Sequence, residues 1–298
     1  MARRRKGEPI HGWLNIDKPY GMSSAKVVAE VKRLTNAAKA GHGGTLDPLA
    51  TGVLPVALGE ATKTTSWAMT GRKTYRFVVC WGEARNTDDA EGEVIETSDV
   101  RPERAAIEAV LPEFTGEISQ TPPAFSAIKI DGKRAYKMAR DGEDVEMLSR
   151  VVQIECFELL DCPDIDHAAF EVTCGKGTYI RALGRDIAKR LGTVGYISDL
   201  SRTAVGEFKI SDAISLDSLN DFSHSAPLNS CLLPVEAALD DIPAFSLTGP
   251  QAQRLQNGQM IRVLDAPDGL CRASRDGKLI ALVDVTSGEV RAVRVFNL

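Results

Sequence analysis

Cysteine, histidine and aromatic residues are all sparse in this 298-residue chain. Its six cysteines (Cys80, Cys156, Cys162, Cys174, Cys231 and Cys271) lie scattered, with no C-x-x-C pair. Only four histidines accompany them, so zinc-site spacing is missing and no metal is expected. Scattered thiols suit a reducing compartment, and a cytoplasmic location is the expectation. No apolar run approaches the ~20 residues that cross a bilayer, so no membrane association is expected. The basic start Met1-Ala-Arg-Arg-Arg-Lys6 has no apolar stretch behind it and does not read as a secretory signal. Common catalytic signatures are missing too. There is no H-E-x-x-H and no G-x-S-x-G, and Gly175-Lys-Gly-Thr178 has the wrong order for a phosphate-binding G-x-x-x-x-G-K-[ST] loop. These absences argue against a hydrolase or nucleotide-dependent enzyme. ATP or metal dependence of turnover would revive that class.

Excess positive charge is also lacking: 36 Lys and Arg face 41 Asp and Glu, a net charge of −5. That counts against nucleic-acid binding over the whole surface but leaves room for a local basic groove. Contributors to such a groove are Arg3 to Lys6, Lys129, Lys133, Arg134, Lys137, Arg140, Lys176, Arg181, Arg185, Lys189 and Arg190. For most of these an ordinary solvated cation is the simpler reading. Hydrophobic content of 43% and charged content of 26% are those of a globular protein. The length accommodates one large domain plus a small one.

The pattern along the chain alternates short strands and helices. Trp13 to Asp17 is a strand. Ser23 or Ser24 then caps a helix with Val27, Val28, Val31 and Leu34 on one face. Val53 to Leu58 reads as buried strand, Glu60 to Met69 as helix, and Tyr75 to Trp81 as a strand with Tyr75, Phe77, Val79 and Trp81 on one side. An acidic turn over Asn86 to Gly92 leads to a return strand, Val94 to Thr97, and Pro102 starts a helix ending near Pro112. Residues 119–150 form a distinct basic segment, with a type I′ hairpin signal at Asp131-Gly132. Strands over Arg150 to Leu160 and Ala169 to Cys174 precede a helix from Thr178 to Leu191 and an extended segment from Tyr196 to Phe208. A linker region is expected after Leu216, through Ser223 to Pro227 and Asp240 to Pro243. Short strands then follow at Met260 to Leu264, Leu270 to Ser274, Leu279 to Val285 and Val290 to Phe296, which suggests a small barrel.

The most informative stretch is Gly41-His-Gly-Gly-Thr-Leu-Asp-Pro-Leu-Ala-Thr-Gly52. Asp47 is held out of the helical region by Pro48, and the glycines before it let a bulky ligand approach the backbone. Asp-Pro is equally a good helix start, with Asp47 as the cap. On pattern alone Tyr75 is a core aromatic, His42 an ordinary loop histidine, and Arg181 part of a solvated stripe with Arg185 and Lys189. Asp88 and Asp89 could suggest a metal, but a solvated turn is the simpler reading.

Gly41 to Gly52 resembles the signature loop G-H-x-G-x-L-D-P-x-A-x-G of the bacterial tRNA pseudouridine-55 synthases, the TruB family. Gly43 stands where threonine is frequent. Four further segments extend the resemblance over most of residues 11–210: Leu14 to Ser24 (D-K-P-x-G-x-[ST]-S), Lys73-Thr-Tyr-Arg76, Gln120 to Tyr136, and Lys176-Gly-Thr-Tyr-Ile-Arg181. The resemblance implies a mixed α/β pseudouridine-synthase fold of α+β type with a largely antiparallel central sheet. It places the catalytic domain over 1–242, with a hairpin insertion at about 119–150, and a PUA-like RNA-binding barrel over 243–298. It assigns Asp47 as the catalytic carboxylate, Arg181 as its partner and Tyr75 as the active-site tyrosine. His42 would help hold the base out of its stack. Lys18, Tyr179, Leu200 and Arg202 would line the pocket or its rim.

The expected substrate is the T-arm stem-loop of tRNA, and a monomer is expected. Pseudouridine formation breaks a C–N glycosidic bond, turns the uracil and rejoins it through carbon. It involves no redox step and no phosphate activation, so no cofactor is expected. Asp47 has three routes open: attack on C1′, attack on the uracil ring, or removal of a proton from C2′. A carboxylate in a water-poor pocket tends to pick up a proton, whereas a guanidinium beside it favours the charged form and can hold it bidentately. With Thr178 as cap, Arg181 falls in the first helical turn, where the dipole disfavours a cation by a few tenths of a kcal/mol. A guide-RNA-dependent synthase is the alternative within the family, disfavoured by the hairpin insertion. A non-catalytic RNA-binding or tRNA-folding protein is the alternative outside it, and the paired acid argues against it.

Overall fold

The computed structural model describes residues 7–126, 128–130, 132–141, 145–225 and 230–298. The first half contains β1 (Gly12–Lys18), α1 (Ser24–Thr35), β2 (Ala40–His42), β3 (Thr51–Leu58), α2 (Thr65–Thr70), β4 (Lys73–Trp81), β5 (Glu83–Arg85), β6 (Val94–Thr97) and α3 (Arg104–Val110). Next come β7 (Gly116–Gln120), β8 (Lys129–Ile130), β9 (Lys133–Arg134) and α4 (Ala135–Arg140). Then come β10 (Arg150–Asp161), β11 (His167–Cys174), α5 (Ile180–Arg190), β12 (Gly195–Val205), β13 (Phe208–Lys209) and α6 (Leu216–Ser225). The C-terminal part holds β14 (Ala244–Ser246), α7 (Gly249–Gln256), β15 (Ile261–Arg262), β16 (Gly269–Arg275), β17 (Lys278–Thr286) and β18 (Glu289–Val295).

Alternation of large apolar residues drives the central sheet. In β4 the side chains of Tyr75, Phe77, Val79 and Trp81 are buried in turn. On β11, paired antiparallel to β4, Ala168, Phe170, Val172 and Cys174 do the same. Phe77 and Phe170 stack with centroids 5.3 Å apart, and Trp81 meets Phe170 edge-on at 6.4 Å. Such pairs add about 0.5–1.5 kcal/mol each beyond area burial. The nine-stranded sheet runs β1-β3-β12-β4-β11-β10-β7, with β2 on β3 and β13 on β12. Its one parallel pairing among the described strands, β12 with β3, makes an otherwise antiparallel sheet mixed. Extra residues in β12, Ser198 and Thr203, shift its register against β4. Bulges of this kind bend a strand and re-aim its side chains. Between them lie Leu200 and Arg202.

Several elements differ from expectation. Asp47-Pro48 starts no helix: the Ala50 amide donates to the Asp47 carbonyl at 3.1 Å, closing a turn. A cap would need a following helix, and the apolar run instead pairs as β3 with β1. The helix expected over Glu60 to Met69 is a 3-10 turn at Gly59–Lys63 followed by α2. Thr178 does not cap α5. Its hydroxyl donates to the Gly175 carbonyl, and the helix starts at Ile180. The linker region contains α6, while residues 226–229 lie outside the described residues. Asp131 of the expected hairpin turn also lies outside them; β8 pairs antiparallel with β9. The C-terminal strands form a curled, half-barrel sheet in the order β14-β16-β17-β18-β15. It is joined by α7, whose Thr248/Gln251 capping box and Pro250 were readable signals.

Two glycines show how tightly the signature stretch is packed. A Cβ on Gly43 would come within 2.9 Å of the Ala68 side chain and 3.4 Å of Trp13. Gly52 has φ +93°, and a Cβ there would lie 2.3 Å from the Arg202 carbonyl oxygen. Gly52→Ala should therefore cost about 2–4 kcal/mol through combined strain and overpacking. Urea unfolding of the variant against the parent measures it, and a loss below half a kcal/mol would mean that the backbone relaxes there.

Candidate active site

Asp47 sits in the turn between β2 and β3, above a core containing Leu46, Ala50, Tyr75 and Leu200. Its side chain is 41% exposed, while that of Arg181 is 6% exposed. The acid thus faces an open depression rather than a water-poor pocket, and the base beneath it is dry. The depression, about 270 Å³ with the open solvent at its mouth included, is lined by Asp47, Leu49, Ala50, Asp89, Arg181 and residues Ile197 to Leu200.

Arg181 organises three separate segments. Its Nε donates to Asp47 Oδ2 at 2.9 Å. Nη1 donates to the Thr87 carbonyl at 2.8 Å and lies 3.3 Å from Asp89 Oδ2. Nη2 donates to the Phe125 carbonyl, beyond β7, at 3.0 Å. The contact with Asp47 is therefore single, not the bidentate grip expected, because the other nitrogens hold neighbouring chain. Arg181 does lie in the first turn of α5, so Asp47 and Asp89 offset the unfavourable dipole there.

Asp89 is buried and Asp88 half-buried, contrary to the solvated turn read from sequence. The Thr87 hydroxyl and the Glu91 amide both donate to Asp89 Oδ1. Asp88 takes a left-handed conformation, φ 61°, and pairs with Arg185 at 2.9 Å. Burial pushes the Asp88 carboxyl above its usual range, and the Arg185 and Arg181 charges pull it back. Arg185 also donates to the Thr121 carbonyl at 2.7 Å, so it ties the chain beyond β7 to α5 rather than joining a solvated stripe. Among the described residues, no group of three His, Cys, Asp or Glu side chains is arranged to hold a metal ion.

Lys18 and Arg202, expected at the pocket rim, have their cationic heads turned into main chain. Both residues are fully or almost fully buried. The Lys18 ammonium donates to the carbonyls of Pro19, Met22 and Pro48. Burial lowers its pKa to about 8, opposed by the Asp47 charge. Arg202 donates to the carbonyls of Val53, Thr45 and Gly44. Both grips fall on the chain flanking Asp47, and hold a loop that has no ladder partner of its own. Tyr75 lies opposite Arg202 in the β4–β12 register. It is buried, and that burial raises its phenol pKa. Leu200 lines the depression. Tyr179 stands at the start of α5 with Arg150 stacked on its ring at 4.9 Å. The sequence reading passed over Gln120, which caps this helix: its Oε1 accepts from the Tyr179 amide at 2.8 Å and its Nε2 donates to the Tyr179 carbonyl at 3.1 Å. A glutamine 59 residues upstream leaves no local capping signal.

His42 accepts a hydrogen bond from the Gly44 amide at Nδ1, 3.3 Å, so its neutral form suits the loop. Burial, then the Arg202 charge, lowers its pKa from 6.5.

Two matched family models cover most of the chain. The TruB family pseudouridylate synthase N-terminal domain matches residues 32–180, and the tRNA pseudouridylate synthase B C-terminal domain matches residues 181–240. Similar proteins named tRNA pseudouridine synthase B include one from Bradyrhizobium diazoefficiens, 54% identical over 304 residues, covering 99% of this chain and 88% of that protein. Another, from Rhodospirillum rubrum, is 51% identical over 308 residues and is covered, like this chain, in full. Among solved structures, a chain of a Cbf5-Nop10-Gar1 complex is 28% identical with a TM-score of 0.75, covering 96% of this chain and 84% of that one. A chain of an H/ACA RNP bound to a substrate RNA containing 2′-deoxyuridine, 24% identical with a TM-score of 0.76, covers 100% of this chain and 92% of that one and shares the fold. Fold and relatives together define a pseudouridine synthase, an isomerase that converts uridine to pseudouridine. The chain belongs to the TruB family, and its RNA substrate is tRNA.

Two outcomes follow from this geometry. A histidine whose folded pKa is depressed leaves the unfolded chain to take the proton first, so stability falls as pH drops below about 6.5. His42→Gln should flatten that acid limb between about pH 5 and 6.5 in urea titrations. Gln120→Ala should cost about 1–2 kcal/mol, measured the same way, because it leaves the Tyr179 amide without its acceptor, while the Tyr179 carbonyl keeps its bond from the Leu183 amide.

Proposed function

We propose that the chain isomerises the T-loop uridine of tRNA, position 55, with Asp47 as the reacting group. The observation that carries this reading is the 2.9 Å contact between Asp47 and Arg181 at the edge of an open depression. It supplies one solvent-facing carboxylate, oriented by a buried guanidinium with three other anchors. The target base must leave its stack to reach that carboxylate. In this reading Tyr75 and Leu200 meet the extruded uracil, and His42 helps keep it out of the loop. Tyr179 shapes the wall, while Lys18 and Arg202 act on the substrate indirectly by holding the Asp47 loop. The glycosidic bond to N1 breaks, the uracil turns, and a bond from C5 to C1′ replaces it; the proton lost from C5 is balanced by one taken up at N1. No electrons are gained or lost.

We divide the chain into a catalytic unit over 1–242, carrying the insertion at about 119–150, and an RNA-binding unit over 243–298. A separate five-stranded sheet beginning at Ala244 supports that division. The chain acts as a monomer in this reading. A cytoplasmic site of action goes with it, since tRNA is the substrate and none of the six cysteines, all among the described residues, is bridged.

Asp47→Asn should abolish pseudouridine formation while leaving tRNA binding within a few fold. Mapping pseudouridine on treated tRNA and on a T-arm hairpin checks both residue and position. An active Asp47→Asn protein would remove Asp47 from the chemistry. Turnover of naked tRNA by the single chain separates this reading from the guide-RNA-dependent one, which requires an added RNA.

A further inference from the structure

We propose that Tyr20 is a stacking residue for the substrate RNA: its ring replaces the partner lost by the nucleotide next to the extruded uridine. This rests on the reading of Asp47 as the reacting carboxylate. Tyr20 is 64% exposed. Among the described residues, every other aromatic side chain of stated burial is buried or half-buried. An exposed ring on a mobile loop would mean little, but the backbone beneath this one is pinned. The Lys18 ammonium holds the carbonyls on either side of Tyr20, those of Pro19 and Met22, at 2.9 and 2.7 Å. The same ammonium holds the Pro48 carbonyl at 3.1 Å. The Gly21 amide also donates to the Pro48 carbonyl, at 2.8 Å. Gly21 has φ +77°, which closes the turn at no steric cost. Tyr20 is thus one residue from a direct bond to the residue that follows Asp47.

The physical need is specific. Extruding a base leaves its neighbour with one face unstacked, and single-stranded bases stack on aromatic rings without regard to sequence. A ring with two side-chain torsions on a fixed turn loses little entropy on binding. Nothing in the fold uses the Tyr20 ring as core, so its removal should leave the protein folded.

The test measures binding of a T-arm hairpin RNA by the full chain in the Asp47→Asn background, where no turnover interferes. Tyr20→Ala should weaken binding about 5- to 150-fold, the equivalent of ~1–3 kcal/mol per stacked base, and Tyr20→Phe should stay within about twofold. Hairpins with an abasic residue at each loop position in turn should erase the alanine penalty at one position beside the target. Tyr20→Trp should add a fluorescence change on RNA binding that the parent lacks. A Tyr20→Ala protein that binds within twofold of its parent overturns the proposal. So does a penalty that survives every abasic substitution. If Asp47→Asn itself proves active, the functional reading fails, while the binding comparison still reports on Tyr20.

Discussion

The ion pair between Asp47 and Arg181 depends on a cation that is almost wholly removed from water. Burying a guanidinium is costly unless each donor finds an acceptor. Arg181 meets that requirement with a carboxylate on the signature loop, a carbonyl and a second carboxylate after β5, and a carbonyl beyond β7. Each of those segments is consequently held where the guanidinium plane puts it. The loop that carries Asp47 is positioned by α5, and α5 by a sheet whose core is the stacked Phe77, Phe157 and Phe170.

Two more buried cations extend the same logic. Lys18 and Arg202 approach the loop from β1 and β12: Lys18 holds the residue after Asp47, and Arg202 holds chain on both sides of it. Neither makes an ion pair with a carboxylate among the described residues. Their charges are satisfied by carbonyl dipoles, and the Arg202 charge helps to lower the pKa values of Lys18, Lys73 and His42. The electropositive floor under the loop is therefore a by-product of how the loop is held.

Much of this fold was readable from local pattern. The alternation in Tyr75 to Trp81 predicted both the strand and its buried face. The Val27, Val31 and Leu34 spacing predicted α1. Asp47 and Arg181 were recognisable through motif wording, since nothing in their spacing brings positions 134 residues apart together. What escaped was long-range. Asp88 and Asp89 look like a solvated acidic turn until α5 delivers two arginines to them. Gln120 caps a helix from another strand, and Lys18 looks like a surface lysine until three carbonyls converge on it. Gly43 appears permissive in sequence, yet Ala68 and Trp13 leave it no room for a side chain.

Apart from the Asp47 carboxylate itself, the loop is gripped mainly through its main chain: the carbonyls of Gly44, Thr45, Pro48 and Val53 accept from Lys18 and Arg202, and Ser24 holds both the carbonyl and the amide of Leu46. A carbonyl is the same whichever residue bears it. Exchange of the exposed Thr45 side chain therefore leaves every grip in place, whereas loss of Arg202 releases three at once and loss of Lys18 removes the ammonium that joins Pro48 to the carbonyls of Pro19 and Met22. The burden of keeping the reactive acid in register falls on anchors outside the loop, and the exposed Thr45 remains open to drift, while the buried Val53 is held by its packing instead.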